Sequence, residues 1–332
     1  MKMRMATPDD AHLPTFDFTK LAAVNSCPRW GVLRYHHHKQ MQHTEGFRSM
    51  ALEAGSAAHE CFAAIRLWQL GHVQGLIDHM HYHGRRLFGD RWIEIGGQED
   101  TEDPRNTALA CLSTSGFTDD PSDKRRTYSN LETSLMYYCQ RWDHTRYPVW
   151  VRDPSDTTAD VGIEIAFDVV VDEKHRYTGR VDGIHTDRSG ELLIQENKTA
   201  SRLGTAWRMA FNTSHQVTGY CAAASLFAGA PVNRAIVLGL ALPLPRTLSD
   251  GLAMEMVTRH EHAFRQWQEW MQHSVEMCLR YEDDPLSAPM YTGSCNRYFT
   301  PCSYIPLCAG DAEEQQLTLN EMSTDEWSPL DT

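Results

Sequence analysis

The sequence predicts an α/β fold, a mixed β-sheet flanked by helices, from three observations. Residues 51–70 are rich in alanine and place apolar residues at helical spacing. Three segments rich in β-branched and apolar residues are predicted as strands, at 163–171, 177–184 and 192–196. Residues 205–228 return to a helical pattern, and the apolar run at 234–242 that follows is typical of a buried strand.

The connections between these segments are predicted from their turn residues. Residues 187–190 (DRSG), between the second and third strands, suit a tight hairpin that ends in glycine. Residues 252–281 are predicted as one long helix, and residues 1–16 as a flexible arm.

The composition is that of a globular protein, with 41% hydrophobic and 23% charged residues and a mean hydropathy of −0.49. No apolar run approaches the roughly 20 residues of a membrane helix, and the N-terminal residues lack the apolar core of a secretory signal. We therefore expect an intracellular, cytoplasmic protein without a membrane partner. A nucleoid-associated or virus-encoded protein would satisfy the same expectation.

The net charge of −13 argues against a protein that coats nucleic acid without specificity. Residues 309–332 carry seven of the acidic side chains and no Lys or Arg, and this composition predicts a disordered, solvated tail. The remaining excess leaves room for a local basic channel, because a metal-binding site itself concentrates carboxylates.

The central motif is Asp182 followed by Glu196, Asn197 and Lys198. Residues two apart on a strand point to the same face, so Glu196 and Lys198 project together, and Asp182 lies near the end of the preceding strand. Two carboxylates and a lysine at one strand end can hold Mg²⁺ or Mn²⁺ and position a water molecule. The alternative is that Asp182 is an ordinary hairpin residue.

Other polar residues accompany this motif. His59, on the early helix, could supply a nitrogen ligand, although a surface or capped core histidine has the same pattern. Gln216 and Tyr220 are four residues apart and share a helix face, which by itself is unremarkable. Glu164 begins the first of the three strands.

In this order the residues resemble the PD-(D/E)xK nuclease superfamily, in its RecB-like exonuclease branch. The resemblance runs from GxxxH, through GRVDGI and the ExK of IQENKT, to QxxxY, and residues 71–160 lie outside it. It implies a restriction-endonuclease-like core with His59, Asp182 and Glu196 as ligands of Mg²⁺ or Mn²⁺. It also implies that Lys198 orients or activates the water, and that Gln216 and Tyr220 assist.

Nine cysteines in a chain expected to be intracellular point to thiols and metal ligands rather than disulfides. SCPRW and CNRYFTPCSYIPLC resemble the iron–sulfur clasp of AddB-type and CRISPR-adaptation-type nucleases. The resemblance implies a 4Fe–4S cluster held by four residues, Cys27, Cys295, Cys302 and Cys308, although four thiolates also suit Zn²⁺. The remaining cysteines are interpreted as ordinary buried thiols: Cys61, Cys111, Cys139, Cys221 and Cys278.

The predicted organisation has five consecutive parts. They are an N-terminal segment with the first cluster cysteine (1–50), a helical region with the active-site histidine (51–160), a nuclease core (161–250), a C-terminal helix with the cluster cysteines (251–308) and the acidic tail (309–332).

The resemblance implies a metal-dependent exonuclease that acts on single-stranded DNA or DNA ends, in recombination, repair or processing. A helicase or recombination protein is the partner that it implies. The alternatives are a catalytically silent or a zinc-stapled nucleic-acid-binding protein in a recombination complex. The intact Lys198 favours an active enzyme, since a silent site has no need of it.

Overall fold

Helices and strands alternate along the chain, and most of the strands join one mixed sheet. A computed structural model describes residues 2–41, 49–96, 103–297 and 300–324. The helices are α1 (Phe18–Ser26), α2 (Pro28–Gly31), α3 (Met50–Trp68), α4 (Ile77–Phe88), α5 (Trp92–Gly96), α6 (Pro104–Thr114), α7 (Tyr128–Arg141), α8 (Thr205–Ala210), α9 (His215–Ala228), α10 (Glu261–Arg280), α11 (Ile305–Ala309) and α12 (Ala312–Glu321). The strands are β1 (Met3–Met5), β2 (Thr15–Asp17), β3 (Lys39–Gln40), β4 (Ile163–Val171), β5 (His175–Thr186), β6 (Leu192–Ala200), β7 (Val232–Ala241), β8 (Leu252–Thr258), β9 (Asn296–Arg297), β10 (Thr300–Pro301) and β11 (Ser323–Thr324).

The main sheet has seven strands in the order β1–β4–β5–β6–β7–β8, with β2 paired to β5. β6 runs antiparallel to β5 and parallel to β7, so the sheet is mixed. The parallel pair requires a crossover, which α8 and α9 provide between β6 and β7. The predicted α/β fold, a mixed sheet flanked by helices, is confirmed.

The chain divides into two compact units. The first contains residues 1–47, 166–179 and 261–332, and the second contains residues 48–165 and 180–260. The core of the second unit is formed largely by α3, whose alanines pack together with Phe62, Ile65 and Leu67 against apolar residues of α6, α7 and β7. In the first unit the buried rings of Tyr177 and Trp267 are in contact, with centroids 5.6 Å apart. Where the structure describes the chain, no helix has the length and apolar character needed to span a membrane.

Local sequence explains the helix that follows β6. Residues 205–228 were predicted as one helix, but they form α8 and α9. α8 ends at Ala210, and α9 begins after Ser214, whose hydroxyl accepts a hydrogen bond from the N–H of Val217 and caps the helix. Gly229 closes α9 with a φ of 68°, a left-handed conformation that glycine adopts readily.

Two predictions about regular structure are wrong. The predicted long helix at 252–281 begins only at Glu261, because residues 252–258 form β8 and cover the edge of β7. Its Leu, Ala, Met and Glu residues favour helices, and pairing with a distant strand overrides that preference. The predicted flexible arm at 1–16 contains β1, paired to β4, and the start of β2, paired to β5.

The predicted disordered tail is wrong for residues 312–321, which form α12. Asp311 caps the helix, and Glu314 completes a capping box by accepting from the N–H of Asp311. Met322 joins a small apolar cluster with Leu33 and Leu307, which offsets the acidic composition. Residues 325–332 of the predicted tail lie outside the described residues. The predicted division into five parts stays a prediction.

We expect Met322→Ala to lower the free energy of unfolding by about 2 kcal/mol, because it removes a buried side chain from that cluster. Urea denaturation measures the change. Leu317→Ala on the same segment is the matched control, since Leu317 is 56% exposed and should cost less than about 0.5 kcal/mol. Equal effects of the two substitutions would contradict an ordered, packed C-terminal helix.

Candidate active site

The hairpin of β5 and β6 carries the two carboxylates of the central motif. Asp182 lies on β5 and Glu196 on β6, with only 6% and 2% of their surfaces exposed. The backbone N–H of Asn197 donates a 2.6 Å hydrogen bond to Oδ2 of Asp182. The two carboxylates are therefore held on adjacent strands rather than on loops.

Helix α3 brings His59 to this hairpin. Nδ1 of His59 lies 3.4 Å from Oδ1 of Asp182, and the imidazole remains about one-third exposed. α3 packs against β6 in the same unit, which fixes the direction from which the histidine approaches. The predicted pairing of histidine and aspartate is thus present in the structure.

Lys198 begins a chain of polar contacts that leads into α9. Its Nζ lies 2.6 Å from Oε1 of Glu196 and donates a 3.2 Å hydrogen bond to Oε1 of Gln216. Nε2 of Gln216 in turn donates to the hydroxyl of Tyr220 at 3.1 Å. All six residues singled out by the sequence therefore lie in two connected groups, one around Asp182 and one around Glu196. Their assigned roles stay predictions.

Glu164 is a candidate ligand that sequence reasoning left without a role. Among the described residues, one group of at least three His, Cys, Asp or Glu residues has all its ligand atoms within 4.8 Å of one another, namely His59, Glu164 and Asp182. Glu164 has a φ of 46°, a left-handed conformation that is rare outside glycine. Such backbone strain is typical of functional sites, but no sequence pattern predicts it.

Burial and neighbouring charges shift the pKa values of the site residues, often in opposite directions. Burial alone would lower the pKa of His59, but the carboxylate of Asp182 raises it to about 9. Burial raises the pKa of Glu196, Asp182 raises it further, and Lys198 opposes the shift. Burial would also raise the pKa of Asp182, but the neighbouring imidazolium holds it below its ordinary value.

The donor set fits a divalent cation. Oε1 of Glu164 and Oε2 of Glu196 are buried and accept no hydrogen bond from the described residues. A buried carboxylate oxygen without a hydrogen bond is costly unless a cation compensates it. Carboxylate oxygens with one imidazole nitrogen are ligands that Mg²⁺ and Mn²⁺ accept. His59, Glu164 and Asp182, whose ligand atoms lie together, would hold the ion, and Glu196 as a further ligand stays a prediction.

The four cysteines of the predicted cluster lie together in the first unit. Cys27, Cys295, Cys302 and Cys308 line one pocket of about 230 Å³, together with Trp30 and Tyr304. Hydrogen bonds join the two chain segments beside it, from Ser294 Oγ to the carbonyl of Ser26 and from the N–H of Arg29 to the carbonyl of Pro289. The other five cysteines are all buried, as the sequence analysis predicted: Cys61, Cys111, Cys139, Cys221 and Cys278.

The hairpin of β5 and β6 presents two carboxylates and a lysine, and helix α3 adds a histidine beside them, a set of side chains that suits a metal-dependent phosphodiesterase. The comparison with protein families agrees, because the family model of the PD-(D/E)XK nuclease superfamily matches residues 15–309. The chain belongs to this superfamily, whose members are nucleases that use divalent metal ions. No curated protein matches the chain.

Metal binding is expected to strengthen with pH. With its pKa at about 9, His59 is protonated at neutral pH in the metal-free protein and must lose its proton to bind a cation. The apparent affinity for Mn²⁺ should therefore rise about tenfold between pH 7 and pH 8, and level off above the pKa of His59. Titration calorimetry at several pH values measures this, and an affinity independent of pH in that interval would contradict His59 as a ligand.

Proposed function

We propose that the protein is a metal-dependent exonuclease that acts on single-stranded DNA or DNA ends, in recombination, repair or processing. The observation that carries the proposal is the contact of Lys198 with both Glu196 and Gln216, beside His59 and Asp182. A silent nucleic-acid-binding protein has no need for a half-buried lysine held in this way. The resemblance to the RecB-like branch supports DNA as the substrate and exonuclease action. It also supports a helicase or recombination protein as the partner.

In the proposed reaction the divalent ion and Lys198 have separate roles, and neighbouring residues position the lysine. When bound, the divalent ion supplies a water of lowered pKa and neutralises phosphate charge. The buried carboxylate of Glu196 keeps Lys198 ionised, because its charge raises the pKa of the lysine that burial alone would lower. Gln216 fixes the ammonium from the other side, and Tyr220 holds Gln216 by accepting a hydrogen bond. Lys198 thus presents a fixed positive charge to the phosphate that is attacked.

We expect Asp182→Asn and Glu196→Gln each to lower cleavage at least about 100-fold, because each removes a ligand charge while keeping the size of the side chain. Lys198→Ala should lose a similar factor but keep Mn²⁺ binding. The assay uses end-labelled single- and double-stranded DNA and a circular single strand, with and without Mn²⁺. Glu191→Gln is the matched control, since Glu191 lies in the exposed turn of the same hairpin and pairs with Arg234.

Each result of this assay has a definite meaning. Release of labelled mononucleotides from linear DNA, with the circle intact, is the expected pattern of an exonuclease. Cleavage of the circle would replace exonuclease by endonuclease action. Failure of the wild type with Mn²⁺ to cleave any of these DNA substrates would overturn DNA as the proposed substrate. Full activity of Asp182→Asn would contradict the assignment of the site.

We further propose that the cysteine pocket holds a 4Fe–4S cluster. The four thiols line one pocket of the first unit, and four thiolates are a ligand set that suits either a 4Fe–4S cluster or Zn²⁺. The resemblance of the cysteine segments to the clasp of iron–sulfur nucleases favours iron over zinc.

Serine substitution of Cys27, Cys295, Cys302 or Cys308 is expected to abolish iron and sulfide binding and to lower the unfolding temperature. A structural metal can contribute about 10–16 kcal/mol, which is comparable to the roughly 5–15 kcal/mol of net stability of a folded protein. Iron and acid-labile sulfide per chain are measured. Cys111→Ser, at a buried thiol of the other unit, is the control and should keep its iron. Zinc without sulfide in the wild-type protein would contradict the cluster.

A further inference from the structure

One face of α3 carries two residues that contact the central hairpin. His59 and Arg66 are seven residues apart, about two helical turns, and therefore lie on the same side of the helix. His59 lies beside the carboxylate of Asp182. Nη1 of Arg66 donates a 2.5 Å hydrogen bond to the backbone carbonyl of the same aspartate. The helix thus contacts one residue of β5 at both its side chain and its backbone.

Arg66 is a buried cation beside the candidate metal ligands. Only 2% of its surface is exposed, and its Nη1 lies 3.6 Å from Oε1 of Glu164. Its Nε and Nη2 are also buried and donate no hydrogen bond to the described residues. A buried guanidinium with unused donors is a costly way to fill a core, so its charge must be balanced by the carboxylates nearby.

Gly183, the residue after Asp182, leaves room for the guanidinium of Arg66 beside the hairpin. A Cβ atom at Gly183 would lie 3.3 Å from Nε of Arg66 and 2.8 Å from Nε2 of His185. Glycine at this position therefore lets the guanidinium reach the hairpin. On the other side, Glu164, whose backbone is left-handed, places Oε1 3.6 Å from Nη1 of Arg66, and this oxygen accepts no hydrogen bond from the described residues.

From this geometry we infer that Arg66 is a positioning residue for the metal site. It holds the carboxylate of Glu164 and the backbone of Asp182 in the arrangement that binds a divalent ion. The inference rests on the proposed metal site and adds a residue that does not itself touch the ion. Its consequence is that Arg66 contributes to metal affinity through Glu164, beyond any contribution to folding.

A double-mutant cycle on Mn²⁺ binding tests this coupling. Titration calorimetry at pH 8 compares the wild type, Arg66→Met, Glu164→Gln and the double variant, with thermal unfolding of each metal-free protein recorded. We expect Arg66→Met to weaken Mn²⁺ binding about tenfold, and the double variant to bind no more weakly than Glu164→Gln alone. Arg91→Met is the matched control, because Arg91 pairs with Glu60, the neighbour of His59 on α3, and should leave the affinity within twofold.

The other outcomes overturn the inference. Arg66→Met with wild-type affinity, or effects of the two substitutions that add, would mean that Arg66 serves the fold alone. If Arg66→Met does not fold, Arg66→Lys takes its place in the cycle with the same expected loss, because lysine keeps the charge but not the several donors of the guanidinium. A wild-type protein that does not bind Mn²⁺ would overturn the metal site itself. This outcome differs from one in which the wild type binds Mn²⁺ and Arg66→Met binds it equally well, which overturns only the role of Arg66.

Discussion

The cost of placing several carboxylates together on the adjacent strands β4, β5 and β6 governs the rest of the second unit. Burial alone would raise the pKa of Asp182, and it does raise the pKa of Glu164 and Glu196, so these side chains stay ionised only where cations compensate them. The structure supplies cations from different directions. His59 and Arg66 come from α3, and Lys198 comes from the same strand as Glu196. α3 and β6 must therefore lie where their cations can compensate the carboxylates, in addition to packing well.

The sheet meets this requirement because its strands are rigid where the charges lie. β6 is bonded to β5 on one side and to β7 on the other, and the register places Lys198 opposite Gly239. α9 packs on the same strands and begins at the Ser214 cap, which determines where Gln216 and Tyr220 lie. Side chains fixed on regular elements keep their geometry better than side chains on loops. A site built in this way is already arranged before any cation binds.

The sequence was sufficient for features that depend on local periodicity. The alternation of strand residues places Glu196 and Lys198 on one face, and the four-residue spacing pairs Gln216 with Tyr220. It was insufficient where distant contacts decide, as in β8, which becomes a strand only because β7 offers an edge. The capping box of α12 was readable, but its acidic composition outweighed it in the interpretation. Neither the left-handed backbone of Glu164 nor the place of Arg66 follows from residue spacing.

The carboxylate site and the thiol pocket are built from different interactions, so substitutions at the two sites are expected to change different properties of the protein. The carboxylate site lies in the second unit and depends on charges that balance within a rigid sheet. The thiol pocket lies in the first unit and is lined by apolar residues, at a place where backbone bonds join segments distant in sequence. Removing a charge from the first site changes affinity for a cation while the apolar core remains. Removing a thiolate from the second removes a link between chain segments, so its effect falls on stability.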